Sequence, residues 1–168
     1  MPTTVKKTTE TKKAAKAAKK STPSAKTNGF HPGIYTVPRG HVSLAVPTFW
    51  TLRQTNDDIQ VESEASDTAV IVTAYQRNEG VKNLDARDYL EHFLGTAPVK
   101  GKITQLDAAK GKAGARFRDE EGDHWQVQFL TNGLTLLLAT CHTTLKLTSH
   151  EGRTGVAVIE SIKLKARA

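Results

Sequence analysis

HWQVQFLTNGLTLLLATC, residues His124–Cys141, is the stretch whose reading decides the fold. His124–Thr131 reads as a strand, and Asn132-Gly133 is the strongest turn signal in the chain, because both residues tolerate the positive φ of a tight hairpin. Leu134–Cys141 is an apolar run of the kind that forms a central strand buried on both faces. Working backward, Glu120-Glu121-Gly122 reads as a short turn joining this hairpin to a strand at Ala113–Asp119, with another at Lys102–Ala109.

The upstream half repeats the pattern. In His41–Val46, Val42, Leu44 and Val46 fall on one face, and Pro47 ends the strand. Phe49–Arg53 and Ile59–Ser63 form a second hairpin around Asn56-Asp57-Asp58. Ala69–Gln76 is rich in β-branched residues, with Val70, Val72 and Ala74 facing one way and Ile71, Thr73 and Tyr75 the other. Between the two halves lies a helix. Asp85 is its cap and Asp88 the acid three residues on. Ala86, Tyr89, Leu90, Phe93 and Leu94 make one apolar stripe, Gly95 ends it, and Pro98 blocks continuation. A closing helix is expected near Gly152–Ile162, with Val156, Ile159 and Ile162 at spacings of three. Consecutive hairpins with one helix between them and another at the end give an α+β domain, an antiparallel sheet with helices packed on it. About 140 residues are enough to bury roughly two-thirds of their unfolded surface.

The charge is segregated. Residues 1–28 hold Lys6, Lys7, Lys12, Lys13, Lys16, Lys19, Lys20 and Lys26 against one acid, Glu10. They account for the whole formal net charge of +7, because the remaining 16 of the 24 basic residues balance the remaining 16 of the 17 acidic ones. Val5 and Met1 are the only larger apolar side chains there, so the segment is expected to be a disordered tail. Its KKAAKAAKK run is too short for a stable free helix, although lysines neutralised on a polyanion would let one form. Residues 29–40 read as a Gly/Pro-punctuated lead-in, and 41–168 as the folded domain. One cysteine excludes an intramolecular disulfide. No apolar run suits a membrane span. The basic N-terminus lacks the apolar stretch of a secretory signal, and it lacks the arginines of a transit peptide despite its Ser, Thr and few acids. A cytoplasmic setting is the expectation.

VSLAVPTFW (Val42–Trp50), the charged hairpin Asp57-Asp58-Ile59-Gln60-Val61-Glu62-Ser63, the helix LDARDYLEHFL (Leu84–Leu94) and the ending VIESIKL (Val158–Leu164) together resemble the PsbP-like superfamily. The likeness is a pattern of apolar positions over about residues 41–164, and the Lys/Ala tail is not part of it. The resemblance implies a curved antiparallel sheet flanked by helices and a mostly non-enzymatic role. Relatives include a photosystem extrinsic subunit, a Ran-binding nuclear-transport regulator and bacterial proteins resembling chaperones for type VI effectors. It brings no shared active-site residues.

The residues themselves suggest few chemistries. Eight tail lysines suit sequence-independent binding of nucleic acid or another polyanion through phosphate neutralisation. Cys141 and His142 are strand neighbours, which point to opposite faces and cannot form a dyad; Cys141 reads as a small buried side chain. The six histidines form no HExxH or paired zinc pattern, and His92 falls beside the helix's apolar stripe. Asp119, Glu120, Glu121 and Asp123 cluster at a turn without the spacing of a calcium loop; they read as a solvated tip that could hold the basic tail. GTAPVKGK (Gly95–Lys102) has five residues between its glycines and Ile103 after Lys102, so it is not a phosphate loop. Phe49, Trp50 and Trp125 read as core aromatics. No catalytic residue, metal or cofactor is expected. The leading expectation is a non-enzymatic module that recognises a protein partner, with a tail for electrostatic tethering. A chaperone or adaptor for a secreted effector comes second, signalled by an exposed apolar patch. An enzyme with an unrecognised site comes third.

Overall fold

The computed structural model describes residues 29–37, 40–56, 58–76 and 84–166. Among them are ten strands and two helices: β1 (Phe30–Val37), β2 (Gly40–Pro47), β3 (Trp50–Gln54), β4 (Asp58–Ser63), β5 (Ala69–Gln76), α1 (Ala86–Thr96), β6 (Val99–Gln105), β7 (Lys112–Asp119), β8 (His124–Thr131), β9 (Thr135–Thr143), α2 (His150–Ser161) and β10 (Lys163–Ala166). The α+β expectation holds in its coarse form, antiparallel sheets with helices on them, with more sheet than that label suggests. The tail lysines fall outside the described residues, as does Asp57 of the β3–β4 turn.

Two meanders are sewn into one seven-stranded sheet, in the order β3-β4-β5-β9-β8-β7-β6. The seam is β5 against β9, from Ala69 opposite His142 to Gln76 opposite Thr135. A second sheet, β1-β2-β10, is built around β2. Helix α2 packs on β2 on one side and on β9 and β5 on the other, so it lies between the two sheets. Its Val158 and Ile159 share a core with Val42, Leu44 and Val46 of β2, Val70 and Val72 of β5, and Leu137 of β9. The Ser161 hydroxyl accepts a hydrogen bond from the Ala45 N–H at 2.8 Å, tying the helix end to the small sheet. Helix α1 packs on β7 and β8 on the opposite face of the large sheet, over a separate core that includes Phe117, Val127 and Phe129.

Several boundaries move, each for a local reason. The lead-in 29–40 contains a strand: β1 pairs with β2 along its whole length. Its Pro32 and Gly33 hide it from a propensity reading, but an edge strand tolerates both, since one row of its backbone groups has no partner to satisfy. Helix α1 passes through Gly95 and stops at Ala97, whose N–H donates to the Phe93 carbonyl; Pro98, and not Gly95, sets the end. Strand β6 starts at Val99 instead of Lys102, with a register shift between Lys100 and Thr104. Gly101 lies there at φ 79°, where a glycine accommodates the bulge. Strand β10, four residues long, carries little pattern of its own; its register comes from β2. Both helices are capped at the N-terminus. Asp85 accepts from the Arg87 N–H, and Ser149 from the Gly152 N–H.

Helix α2 comes close to β9 at Gly155, where a Cβ would lie 2.6 Å from Cys141 Sγ. Gly155→Ala is therefore expected to cost about 1–3 kcal/mol by overpacking. Adding Cys141→Ala should recover part of that loss. Urea melts of both single variants and the double variant measure the coupling; purely additive losses would mean the two positions do not compete for the same space.

Candidate functional site

Strand β9 was expected to be buried on both faces. Its α2 side is: Leu137, Ala139 and Cys141 have no exposure. On the other side Leu138, Thr140 and His142 are only half-buried, because α1 sits over β7 and β8 and leaves β9, β5 and β4 open among the described residues. Alternation along β5 places Ile71, Thr73 and Tyr75 on this face. Ile71 stands opposite Thr140 and Thr73 opposite Leu138. Ile71 is 37% exposed and Tyr75 47%. Where α1 meets this strip, a groove of about 370 Å³ opens, walled by Tyr75, Tyr89, Phe93, Phe129, Leu136 and Leu138. His92 and Thr96 also line it. Asp88 shares their helix edge at i, i+4, i+8 spacing but lies one turn before the groove lining.

The far rim carries acid. Asp58 stands opposite Thr73, and one of its carboxylate oxygens is buried without a hydrogen-bond partner. Glu62 pairs with Arg53 at 3.8 Å. This face thus carries Ile71, Tyr75 and Leu138 interleaved with Thr73 and Thr140, with Asp58 and the Arg53–Glu62 pair along its β4 edge. The sequence held the signal, since Ile71, Thr73 and Tyr75 were read to one side of β5. What covers that side depends on where α1 lands.

The acidic turn differs from its expectation as a solvated tip. Glu120 and Glu121 are exposed, but Asp119 is buried. Its carboxylate accepts from the Trp125 indole N–H at 2.8 Å and from the Asp123 N–H at 2.9 Å. Burial raises the Asp119 carboxyl, but the hydrogen bonds from Trp125 and from the Asp123, Gly122 and Glu121 backbones outweigh it and hold the group below its ordinary value. Asp123 bonds His142 Nε2 at 2.9 Å, and the His142 ring lies against Trp125 with centroids 4.6 Å apart. Trp125 in turn stacks on Phe117. Asp119, Asp123 and His142 have ligand atoms within 4.8 Å of one another, the spacing of a metal site. Both Asp119 oxygens and the close Asp123–His142 pair are engaged with each other or with Trp125, so the group reads as a closed hydrogen-bonded brace at the end of β7–β9. Parity could have found it: Asp119 follows Ala113, Ala115 and Phe117 on the inward face of β7.

Cys141 and His142 do face opposite ways. Burial pushes the Cys141 thiol up to about 12, which keeps it protonated at neutral pH. His124, on the Cys141 side of the sheet, is held below its ordinary value by burial and then by Arg118 and Lys146, which outweigh Asp123 and Asp119. Trp50 lies in the core as expected, whereas Phe49 is 40% exposed. No helix among the described residues is long and apolar enough to cross a membrane.

No family model and no curated protein matches the chain. Among solved structures, a crystal structure from Bacteroides thetaiotaomicron is similar over 76% of this chain, with 12% identity and a TM-score of 0.47. The chain spans 45% of the length of that protein.

The brace has a testable pH signature. Asp119's folded value lies below its ordinary 3.8, so its stabilisation is complete above that pH and is lost as pH falls through the folded value. Trp125→Phe removes one donor and leaves a carboxylate oxygen unpaired. It is expected to cost about 1–3 kcal/mol at neutral pH and to flatten the acid limb of stability against pH in denaturant melts. An unchanged acid limb would place the pH dependence on other carboxylates.

Proposed function

We propose that this chain is a non-enzymatic protein-recognition module, whose open sheet face seats an amphipathic helix of a partner protein. Residues 1–28 add electrostatic tethering to nucleic acid or another polyanion. The observation that carries the reading is the apolar strip Ile71–Tyr75–Leu138 running into the groove beside α1. Its width supports a helix as occupant. Three neighbouring strands about 4.8 Å apart leave a lane of roughly 10–14 Å, and a helix with its side chains is about 10–12 Å across. The occupant would lie beside α1 and complete the layer that α1 begins. Apolar anchors at i, i+3, i+4 and i+7 suit the floor, and basic flanking residues suit Asp58, Glu62 and Asp88 on the rims. The layout of antiparallel sheets carrying helices supports the PsbP-like resemblance as part of this proposal. The same apolar groove favours a second reading, a chaperone or adaptor that shields an apolar helix of a secreted effector.

A labelled peptide with leucines at that spacing and flanking lysines tests the face. Fluorescence anisotropy should show binding that a scrambled peptide of equal composition lacks. Replacing both Ile71 and Tyr75 by Glu should weaken binding at least about tenfold, the equivalent of 1.4 kcal/mol, in a protein whose melt confirms that it is folded. Equal binding of the scrambled peptide, or by the double variant, rejects the face.

The tail is tested separately. Full-length protein should retard duplex DNA in a salt-sensitive manner, with a slope of log K on log salt approaching about −7 if all eight lysines engage phosphates. Residues 29–168 alone should give no shift. Equal shifts with and without the tail reject the tethering.

A further inference from the structure

The even charge balance of residues 29–168 hides a second division, which the fold turns into two ends. Between Glu10 and Asp57 the chain has no acidic residue, and after Glu160 it has none either. Residues 29–56 and 161–168, which supply β1, β2, β3 and β10, hold five bases and no acid. Residues 57–160 hold 16 acids against 11 bases. The large-sheet body is therefore net negative, while the small sheet is free of acid and sits where the Lys-rich residues 1–28 join the domain, at Gly29 just before Phe30.

The small sheet has an inner and an outer face. Val42, Leu44 and Val46 turn inward to the core shared with α2, and Tyr35 and Leu164 pack beside them. Alternation then turns Phe30, Pro32 and Ile34 of β1 outward, with Ser43 of β2 and with Lys163 and Lys165 of β10. Ile34 and Lys163 stand opposite the same Ser43, one on each side of β2, so about two strand spacings, roughly 10 Å, separate the apolar row from the lysine row. Phe30, Pro32, Ser43 and Lys163 border one depression of about 300 Å³. Both lysines are exposed. Phe30 is 46% exposed and Ile34 76%, the highest value for a large apolar side chain among the described residues.

We propose that this outer face rests on an anionic lipid surface. Phe30, Pro32 and Ile34 enter the headgroup layer, Lys163 and Lys165 lie against lipid phosphates and carboxylates, and residues 1–28 add eight lysines beside them. The proposal rests on the electrostatic tethering described above and names the polyanion. A nucleic acid would gain neither stacking nor a hydrogen bond from Ile34, whereas a lipid interface takes an aliphatic tip directly. Apolar insertion and a polybasic segment are the two signals that together hold a protein on a membrane, and each lysine near an anionic leaflet strengthens the hold. Because α2 separates the small sheet from the large one, the helix-binding face beside α1 points away from the lipid and stays open to a partner.

The test uses the full chain carrying Ile34→Cys, labelled with an environment-sensitive fluorophore. Cys141 is buried, with its thiol pushed up to about 12, and does not compete for the label. A second preparation carries the label at Ile71→Cys, on the helix-binding face. Vesicles are phosphatidylcholine alone, or phosphatidylcholine with about one-third phosphatidylserine. The label at position 34 should brighten and shift to the blue with the anionic vesicles only, and the label at position 71 should not respond. In co-sedimentation, replacing Phe30 and Ile34 by Ser should weaken partitioning at least about tenfold, and replacing Lys163 and Lys165 by Ser at least about fivefold; melts confirm that both variants are folded. Three results overturn the proposal. One is no partitioning onto anionic vesicles. Another is partitioning that the Phe30/Ile34 variant leaves unchanged, as for a tail acting alone. The third is a response at position 34 that single-stranded nucleic acid reproduces in place of vesicles. Absent partitioning with salt-sensitive retardation of DNA intact removes the lipid surface and leaves the tethering; loss of both removes the tethering as well.

Discussion

The antiparallel pairing of Ala69–Gln76 with Thr135–His142 is the constraint on which the rest of the structure depends. Every other pairing in the large sheet joins strands adjacent in the chain, so each half could form its own meander. Within the large sheet, the seam alone brings residues 59 to 73 positions apart into register. Closing so long a loop has an entropic cost, offset by the burial of Val70, Val72, Ala74, Leu137, Ala139 and Cys141 on one side. A slip of one residue would turn that whole set outward.

Once the seam is fixed, the two faces of the sheet have different fates. On one, α2 is held between both sheets, and Gly155 lets it come close enough to bury Cys141. On the other face, α1 covers β7 and β8 and, among the described residues, leaves the seam strands open. The apolar residues there, Ile71, Tyr75 and Leu138, are on the outside of a fully paired sheet. Their exposure is thus a property of the fold's layering and not of loose packing. This exposed apolar surface is what the proposed partner recognition rests on.

The brace at Asp119 shows how a charged turn is drawn into a structural role. Side chains that read as a solvated acidic tip are split by the strand's alternation. Glu120 and Glu121 face water, and Asp119 turns inward to the Trp125 indole. His142 joins through β9, one position from the buried thiol and on the other face. Asp119 is tied to the Trp125 indole and to the Asp123 N–H, and His142 to Asp123.

The sequence by itself determined the local elements and the charge plan. The β-branched run at Ala69–Gln76, the Asp85-capped stripe of α1 and the Asn132-Gly133 turn needed only backbone preference and spacing. The lysines were segregated in residues 1–28 by composition alone. Elements whose residues carry no such preference were decided by their partners. These are β1 with its Pro32 and Gly33, the four-residue β10, and the bulged start of β6, whose register is set by β2 or β7. Tertiary structure alone decided which face of β9 stays open. It depends on where α1 and α2 come to rest, and that is set by contacts between residues far apart in the chain, which periodicity within one segment does not record.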